Sequence, residues 1–573
     1  MADLAYSYHN FIFPFIWQHN DDENITFKTV KTIFSNRQEV WGDSDLAYYD
    51  KINLEQNSTS TDVFTNRLKY ATYQYFQPAI REAVFGVKKN NVGNKAIKKG
   101  RNIKEVVQNF YFKPVKSSEN AYYIISKSGV TYQLDLNDVK LKLYNTGVGL
   151  LCFACENSKY QGFSDIKSIN EYGRRITLPY IPENKSISSC ADSISVKWEN
   201  IELEEKFSAH IDAFNSFEEE AEFNHVADFI VEILNYHRDD SSEISLWFTT
   251  NESESKKNRN RLFVEPALDD RMFVMCGVND RIDNLLYDKK EEYDIEFTAQ
   301  NGNEESAVQR YLTDLYKDDY AKYEDIEKSL YEFIFCDPPN GCTCQSPVMR
   351  RQLIREHLYS RWADWGTIYT VAAQSFMFIC AGTENHVEHL FDYYRTEYYE
   401  LVCLTLVQRA SLRVFQSEAS LLSAHIEDPG WVPNKEKRAR IADLQEKLIA
   451  FQNQINLYEV SSQEQAIELY DMMRNVFLVN KYTSILQEQL DGLYNIANIR
   501  QSDAFSRLAG TIAVIALIIA LPSFINDFAF VPQEWFDDGL LNKNESNYSG
   551  IILFVKFMLG LWICKKIKEM FNK

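Results

Sequence analysis

The sequence lacks the motifs of the common nucleotide-binding and hydrolytic enzymes. Its 573 residues contain no GxxxxGK[ST] loop, no GxSxG nucleophile turn and no HExxH metal-binding helix. Basic residues are also scarce, because 61 Lys and Arg stand against 82 Asp and Glu and give a formal net charge of −21. A surface with that excess of negative charge repels phosphate backbones, which excludes broad, direct binding of nucleic acid. The sequence therefore offers no catalytic residue to assign.

Cysteines are too scattered for a disulfide framework, although there are ten of them. Several lie in apolar runs, where a buried free thiol is the usual state, so we expect a reducing compartment. Cys152 and Cys155 form a CxxC, and Cys336, Cys342 and Cys344 lie in a turn-like segment. Thiols of this kind can hold zinc, but the CxxC lies in an apolar, strand-like run. Structural thiols are the better interpretation, and no metal site is assigned.

Positive charge is missing from the N-terminus, where the apolar stretch Phe11–Trp17 is short and interrupted by Pro14. We therefore expect no cleaved signal peptide. Aromatic residues, in contrast, are plentiful at 14%, with 37 Phe and 34 Tyr. A chain of this length and aromatic content predicts two to four folded domains with a large core.

Two apolar runs near the C-terminus predict a membrane hairpin. Leu508–Ile525 contains no charged residue and is long enough to cross a bilayer, which takes roughly 20 helical residues. Tyr548–Cys564 is shorter and contains Lys556, and its position after a stronger span favours a return helix over a buried core helix. Two helices cannot enclose an aqueous pore, so a pore would need several copies of the chain.

Charge asymmetry predicts the orientation of this hairpin. Arg500 and Arg507 precede the first span, and four lysines follow the second, whereas the intervening loop, residues 526–547, has five acidic residues and one lysine. The positive-inside rule places both termini in the cytoplasm.

The part before the membrane changes character near residue 380. Asp138–Cys155 combines alternating apolar residues with the turn sequence Asn145-Thr146-Gly147, which predicts a β-hairpin. From about Ala381 the pattern becomes helical. We therefore predict an α+β cytoplasmic ligand-sensing domain (1–380), a long helical stalk (381–507) and a transmembrane hairpin (508–573) with spans at about 508–525 and 548–564.

The stalk has apolar residues in 3-4 spacing, which is typical of helix–helix packing. One series runs over residues 441–455 and a second over residues 486–497. No strong helix breaker follows Ser461, so we predict one continuous helix from there into the first span, roughly 90 Å long. Two interpretations remain: a hairpin within one chain, and a stalk that self-associates around an axis.

Two short charged segments are candidates for ligand binding. Arg174 and Arg175, in the sequence NEYGRR, have the chemistry to hold a phosphate or a carboxylate, and surface ion pairing is the alternative. Asp269 and Asp270, beside Arg271, can face a cationic group or form a buried ion-pair turn.

Two aromatic segments can supply a stacking surface for a purine. Trp362 and Trp365 lie in YSRWADWGTIY, and Phe13 lies in NFIFPFIW. Packing at a domain junction is the alternative for the tryptophans, and an edge strand is the alternative for the segment with Phe13.

Read in order, these segments resemble one group of proteins, the CorA-like membrane proteins encoded with type III CRISPR systems, within the CorA divalent-cation channel superfamily. The matching segments and the two C-terminal spans extend over most of the chain. The segments are NFIFPFIW (Asn10–Trp17), LYNTGVGLL (Leu143–Leu151), INEYGRR (Ile169–Arg175), LDDRMF (Leu268–Phe273), LYSRWADWGTIY (Leu358–Tyr369) and QEQAIELYDMM (Gln463–Met473).

The resemblance implies an effector in the bacterial inner membrane rather than an enzyme. It implies a nucleotide second messenger as ligand, either an S-adenosylmethionine–AMP adduct or a cyclic oligoadenylate, and a homo-oligomer of four or five copies. The messenger would bind the cytoplasmic domain and open or disrupt the membrane part. Arg174 and Arg175 would then hold its phosphate or carboxylate, and Asp269 and Asp270 its cationic part.

The other candidate positions follow from the same resemblance. Trp362, Trp365 or Phe13 would stack on adenine, and Asn145 and Asn170 lie in two of the matching segments. No cofactor beyond the ligand is expected.

The pore region departs from the family. CorA channels have Gly-Met-Asn at the outer end of the first span, whereas this chain has Ser523-Phe524-Ile525-Asn526-Asp527, in which a single Asn survives. Ordinary magnesium selectivity is therefore not expected, although the acidic loop can concentrate cations. Lys556 is a functional-site hypothesis because charges inside a membrane usually face protein or water. A constitutive divalent-cation transporter and a membrane-anchored scaffold without a pore remain alternatives.

Overall fold

The computed structural model describes residues 5–17, 26–43, 60–86, 105–177, 190–207, 226–237, 247–249, 261–279, 324–363, 367–380, 384–424 and 435–528. The strands are β1 (Ser7–Ile16), β2 (Trp41–Asp43), β3 (Val107–Phe112), β4 (Ala121–Lys127), β5 (Val130–Tyr144), β6 (Val148–Asn157), β7 (Ser193–Trp198), β8 (Ile201–Lys206), β9 (Trp247–Thr249), β10 (Arg261–Phe263), β11 (Glu265–Pro266), β12 (Phe273–Asn279), β13 (Leu358–Tyr359), β14 (Thr367–Ala372) and β15 (Ser375–Cys380).

The helices are α1 (Phe27–Asn36), α2 (Ser60–Tyr75), α3 (Pro78–Phe85), α4 (Lys113–Ser117), α5 (Phe163–Gly173), α6 (Asp228–Asn235), α7 (Glu324–Phe335), α8 (Pro347–His357), α9 (Glu384–Tyr393), a π-helix (Tyr394–Tyr398), α10 (Tyr399–Ser423), α11 (Lys435–Gln454), α12 (Glu464–Val476) and α13 (Val479–Phe528).

Thirteen strands form one sheet that mixes distant parts of the chain. Its main order is β13-β14-β15-β12-β1-β6-β5-β4-β7-β8, with β11 paired to β1, and β2 and β3 attached beside β5. β12 and β15 run parallel, and the other pairs of this sheet are antiparallel. The N-terminal strand is therefore central, with β12 on one side and β6 on the other. This topology brings segments more than 250 residues apart into contact.

Helices cover both faces of the sheet, which explains why β1 is buried at nearly every position. On one face, Gly173 at the end of α5 lies against Phe11, and a Cβ there would come within 2.7 Å of its ring. On the other face, Tyr8 packs on Phe391 of α9 with ring centroids 4.6 Å apart. The N-terminal region is thus a layered domain of helices and one large sheet, as the predicted mixture of helices and strands requires.

The predicted hairpin is confirmed. β5 and β6 pair antiparallel from Asp135↔Glu156 to Leu143↔Gly149, and the connecting turn contains Gly147 at φ 88°. A positive φ of this size is costly for a residue with a Cβ, which is why the turn needs glycine.

By its contacts, the chain divides into two compact units. One contains residues 1–418 and 444–487, and the other contains residues 419–443 and 488–573. The predicted 3-4 series is buried by packing within the chain: Ile441, Leu444, Leu448, Phe451, Ile455, Leu486, Leu490, Leu493 and Ala497 are all at most 5% exposed. Within the first unit, this seam joins the end of α11 to the start of α13, where Gln452 Nε2 donates to Gln487 Oε1 over 3.4 Å and Asn456 Nδ2 donates to Thr483 Oγ1 over 3.3 Å.

The predicted continuous helix from Ser461 is wrong. α12 begins at Glu464 and ends at Val476, and α13 begins at Val479. Leu478, between them, has φ 55°, in the left-handed region that an α-helix cannot contain. The local sequence has no Gly or Pro to announce this break. We call the segment Phe477–Leu478 the elbow.

α13 is 50 residues long, or roughly 75 Å, and contains the first predicted span. Among the described residues it is the single helix long and apolar enough to cross a membrane, and its most apolar stretch is not buried in the protein. Ser523, Asn526 and Asp527 lie in its last two turns. The second predicted span (548–564), with Lys556, lies outside the described residues, so a two-helix hairpin stays a prediction.

Candidate functional site

The two predicted arginines lie at the C-terminal end of α5 and share one carboxylate. Arg174 Nε and Nη2 donate to Glu171 Oε2 over 2.9 and 2.5 Å, and Arg175 Nη2 donates to Glu171 Oε1 over 2.7 Å. Residues three and four apart on a helix face each other, so Glu171 reaches both guanidinium groups. All three side chains are at least nine-tenths buried.

Arg174 is also bonded to two distant segments. Its Nη1 donates to Gln374 Oε1 over 2.7 Å, and its Nη2 donates to the carbonyl of Cys336 over 3.0 Å. With two bonds to Glu171 as well, this guanidinium is almost fully used inside the protein. Arg174 is therefore a structural centre rather than a free ligand for phosphate.

Gln374, in the β14–β15 turn, links this arginine to the predicted acidic pair. Its Nε2 donates to Asp269 Oδ2 over 2.5 Å, and the same oxygen accepts from Arg271 Nη2 over 2.8 Å. Arg271 Nε also lies 3.3 Å from Asp270 Oδ1. We call Glu171, Arg174, Arg175, Asp269, Asp270, Arg271 and Gln374 the charge cluster.

Backbone contacts hold the two halves of the charge cluster together. The amide of Met272 donates to the carbonyl of Arg174 over 2.8 Å, and Arg175 and Arg271 form an isolated antiparallel bridge. The segment before β12 is thus joined to the end of α5. Both predicted charged motifs meet here, although they are almost 100 residues apart.

The two aspartates have opposite pKa shifts. Burial alone would raise the pKa of Asp269, but the hydrogen bond with Asp270 and the charge of Arg271 outweigh it and hold the pKa below its usual range. Burial, the hydrogen bond with Asp269 and its charge raise the pKa of Asp270 to about 6. Near neutral pH the pair is therefore poised to hold or release one proton at Asp270.

The charge cluster has a closed end and an open end. The side chains of Arg174 and Glu171 are 2% and 3% exposed, whereas those of Arg271 and Asp270 are 23% and 38% exposed. Solvent therefore reaches the acidic pair, where a cationic group of a ligand can approach.

Within the described part of the chain, one buried donor of the charge cluster, Arg175 Nε, has no hydrogen-bond partner. Unsatisfied buried donors are costly and need an acceptor such as water or a ligand group.

The remaining predicted ligand residues are not brought together. The ring of Phe13 is fully buried and stacks on Phe15 with centroids 5.7 Å apart, so it belongs to the core. Asn145 lies in the hairpin turn, where its Nδ2 donates to the carbonyl of Glu105 over 3.2 Å. Neither side chain contacts the charge cluster. The strand uses the ring of Phe13 for packing and the turn uses Asn145 to close the hairpin, and the assignment of both residues to a ligand site stays a prediction.

Trp362 lies near the start of β14, whereas Gln374 of the charge cluster lies beyond the end of that strand. The amide of Thr367, the first residue of β14, donates to the carbonyl of Trp362, whereas Gln374 follows the last residue of that strand. A six-residue strand separates these positions by roughly 15–20 Å. Trp362 faces Arg361, whose Nη1 and Nη2 bind Glu468 and Glu464 of α12. Trp365 lies outside the described residues.

A serine–histidine–asparagine chain beside the charge cluster has the spacing of a catalytic triad. Ser7 Oγ and His9 Nε2 are 2.8 Å apart, and His9 Nδ1 and Asn170 Oδ1 are 2.8 Å apart. Ser7 and His9, however, are fully buried, and burial lowers the pKa of His9 to about 4. The neutral imidazole satisfies polar groups within the core, and a substrate cannot reach the serine.

The CxxC thiols lie on opposite faces of β6. Cys152 lies beside Tyr399 of α10, whereas Cys155 lies near Tyr123 on the other side of the sheet. Residues three apart in a strand alternate faces, so the two sulfurs cannot hold one ion. Burial raises the pKa of Cys152 to about 12, which keeps it a protonated structural thiol.

Sequence reasoning missed Glu171 and Gln374. The i, i+3 and i, i+4 spacing of Glu171 to the two arginines is the signal that identifies the first. Gln374 has no such signal, because its contacts cross the fold.

No protein-family model, curated protein or solved structure matches this chain.

Proposed function

We propose that this protein is a membrane effector that binds a nucleotide second messenger in its N-terminal domain and then opens or disrupts the membrane. An S-adenosylmethionine–AMP adduct carries both a phosphate and a cationic sulfonium group, and the charge cluster offers both guanidinium and carboxylate groups. That match favours the adduct over a cyclic oligoadenylate, which has no cation.

The observation that carries the proposal is a direct contact between the segment of the acidic pair and the start of the long helix. Asp269–Arg271 leads into β12, and the first residue of β12, Phe273, packs edge-on against Phe477 with ring centroids 6.0 Å apart. Phe477 belongs to the elbow that begins α13. A ligand that displaces the acidic pair therefore acts on the base of the apolar helix.

An exposed apolar stripe on α13 supports self-association. Tyr482 and Ile485 are 39% and 37% exposed, and Ile496 and Ile499 continue the same face of the helix; Leu478 of the elbow, 43% exposed, directly precedes it. This stripe neighbours the buried seam and has the spacing of a coiled-coil interface. We propose that copies of the chain, four or five in number, pack along it around an axis.

In this assembly α13 would line the pore. Ser523, Asn526 and Asp527 would form its outer end, with the acidic loop beyond, in a bacterial inner membrane with both termini cytoplasmic. Lys556 would contact a neighbouring helix.

The deciding experiment uses the full-length protein in liposomes loaded with an ion-sensitive dye. We expect flux on addition of the adduct, with matched binding by calorimetry, and none with buffer alone. Flux without any nucleotide would favour a constitutive transporter. Absence of flux with the adduct and with each cyclic oligoadenylate would favour a scaffold without a pore.

A further inference from the structure

Two arginines on α10 lie one helical turn apart and are held in place by backbone carbonyls. Arg409 Nη1 donates to the carbonyl of Ala373 over 2.7 Å, and Arg413 Nη1 donates to the carbonyl of Leu268 over 2.6 Å. These carbonyls directly precede Gln374 and Asp269, two members of the charge cluster. The guanidinium groups therefore lie above the two loops that carry those residues.

This arginine pair has excess positive charge. Among the residues that the structure describes, neither guanidinium forms a salt bridge with a carboxylate. Burial and the neighbouring charge of Arg413 lower the pKa of Arg409, which shows that the two cations act on each other. Within the described ranges, Asp269 is the carboxylate that counters this effect, but its Oδ2 already accepts from Arg271 and Gln374.

The arginine pair is accessible to solvent, and Arg409 packs on an aromatic ring. Arg413 is exposed and Arg409 is half-buried, with its guanidinium carbon 5.3 Å from the centroid of the Phe477 ring. Tyr482, on the first turn of α13, is close enough to act on the pKa of Arg409 and is 39% exposed. Its hydroxyl is an additional hydrogen-bond donor at the same place.

We propose that Arg409 and Arg413 form an anion-binding site for a phosphate group, at the junction of the charge cluster and the elbow. Among the described residues each guanidinium has one N–H hydrogen-bonded to a carbonyl and its other N–H groups unused, a preorganised arrangement that suits the several oxygens of a phosphate. The site rests on the proposed function in one respect: the phosphate would be that of the messenger. It replaces Arg174, whose donors are used internally, as the anion-binding group.

The site also fixes the orientation of the ligand. A messenger with its cationic group at Asp270 and its phosphate at Arg409 and Arg413 would bridge the acidic pair and the elbow. Phosphate binding would draw Arg409 towards the ligand and change its contact with Phe477. One ligand would thus touch both the sensing loop and the base of the long helix.

The test is calorimetry on the full-length protein in detergent, with pyrophosphate and the S-adenosylmethionine–AMP adduct as separate probes. Arg413→Ala should weaken binding of both by about tenfold to a hundredfold, as expected for one charge-assisted contact. Arg413→Lys should retain part of the affinity. Arg361→Ala is the matched control, because this exposed arginine is neutralised by Glu464 and Glu468.

Arg409→Lys is the second variant, since Arg409→Ala would also remove packing on Phe477. Thermal unfolding without ligand checks that each variant is folded. Wild-type affinity for pyrophosphate in both Arg413→Ala and Arg409→Lys, or no binding of either probe to the wild type, would overturn the site.

The two proposals fail in different ways. If pyrophosphate binds the wild type and is lost in Arg413→Ala, but no nucleotide binds, the anion site stands and the proposed function falls. If the adduct binds all variants equally, its phosphate lies elsewhere and the assignment of the messenger to this site is overturned.

Discussion

The ring of Phe273 meets the ring of Phe477 edge-on, with centroids 6.0 Å apart and planes at 87°. Phe273 follows Asp270 by three positions, and Phe477 is the residue after α12. The guanidinium carbon of Arg409 lies 5.3 Å from the centroid of the Phe477 ring. The contact of these two buried rings connects the charge cluster to the start of the long helix, which makes the elbow the place to test coupling.

Phe477→Leu should separate binding from membrane opening. Leucine keeps the site apolar, with a cost of roughly 1.5 kcal/mol or less in stability, but it loses the edge-on contact with Phe273. We expect adduct affinity close to that of the wild type by calorimetry and strongly reduced flux in liposomes. The matched control is Phe415→Leu, which removes an edge-on pair with Phe451 at 5.7 Å inside the helical packing. Equal flux loss in the two variants would show a general packing defect instead.

Arg174→Ala should destabilise the domain. The guanidinium is 2% exposed and neutralises Glu171, so its removal leaves a buried carboxylate with one remaining partner, Arg175. Breaking a buried pair from one side costs about 3–5 kcal/mol. We expect a lower free energy of unfolding in denaturant titration, and partial recovery when Glu171→Gln is added. Unfolding at the wild-type denaturant concentration would contradict this structural role.

Because Arg174 is buried, loss of binding in the Arg174→Ala, Arg175→Ala double variant does not by itself identify the ligand site. The sequence predicts that this variant abolishes messenger binding and leaves the oligomer intact. With Arg174 buried, lost binding has to be compared with a loss of folded protein, so Arg413→Ala is the sharper probe.

Asp270 should make ligand binding pH-dependent. Burial and the contact with Asp269 raise its pKa to about 6, so the free protein holds a proton there below that pH. A cationic ligand group favours the ionised carboxylate, and binding therefore releases the proton. Adduct affinity should rise as the pH increases from about 5 to 7, and Asp270→Asn should flatten this profile in calorimetry. An unchanged profile in the variant would remove Asp270 from the site.

Glu397 should make stability fall as the pH rises. It is 2% exposed within the π-helix, and burial raises its pKa to about 7, above the usual 4.5 of a glutamate. Between these values the folded state binds a proton that the unfolded state has lost, so the free energy of unfolding decreases with pH. Glu397→Gln should remove this slope and melt above the wild type at pH 8.

The control for that experiment is Glu400→Gln, three residues later on the same helical segment. Glu400 Oε2 accepts from Lys142 Nζ over 2.7 Å, so this variant removes the negative charge beside a buried ammonium, which keeps only the neutral acceptors Val84 O and Asn109 Oδ1 among the described residues. It should melt below the wild type. A Glu397→Gln protein that also melts lower at pH 8 would refute the argument from burial.

Local patterns predicted local structure well. The hairpin of Asp138–Cys155 and its Asn145-Thr146-Gly147 turn were predicted correctly, because alternation and turn chemistry act between neighbouring residues. The elbow was missed, because its left-handed residue is Leu478 and the cost of that conformation is met by tertiary packing rather than by a glycine.

The candidate site was predicted in part. The NEYGRR and LDDRMF segments do meet, but a pattern cannot show that Glu171 and Gln374 use up the donors of Arg174. Nor can it show that β14 separates Trp362 from Gln374, because the separation depends on where the strand lies in the sheet.

The sequence by itself determined the uncharged, apolar run of α13 and the helical periodicity before it. Both are local properties, because the hydrophobicity of a side chain and its spacing along a helix do not depend on the rest of the fold. Tertiary structure alone decided which charges became structural and which stayed available. β12 pairs with β1 across more than 250 residues, and this pairing brings Asp269 to the end of α5. The cost of burying a charge depends on its partners, so an arginine is buried and paired with Glu171 at position 174, whereas Arg413 is exposed and bonded to the carbonyl of Leu268.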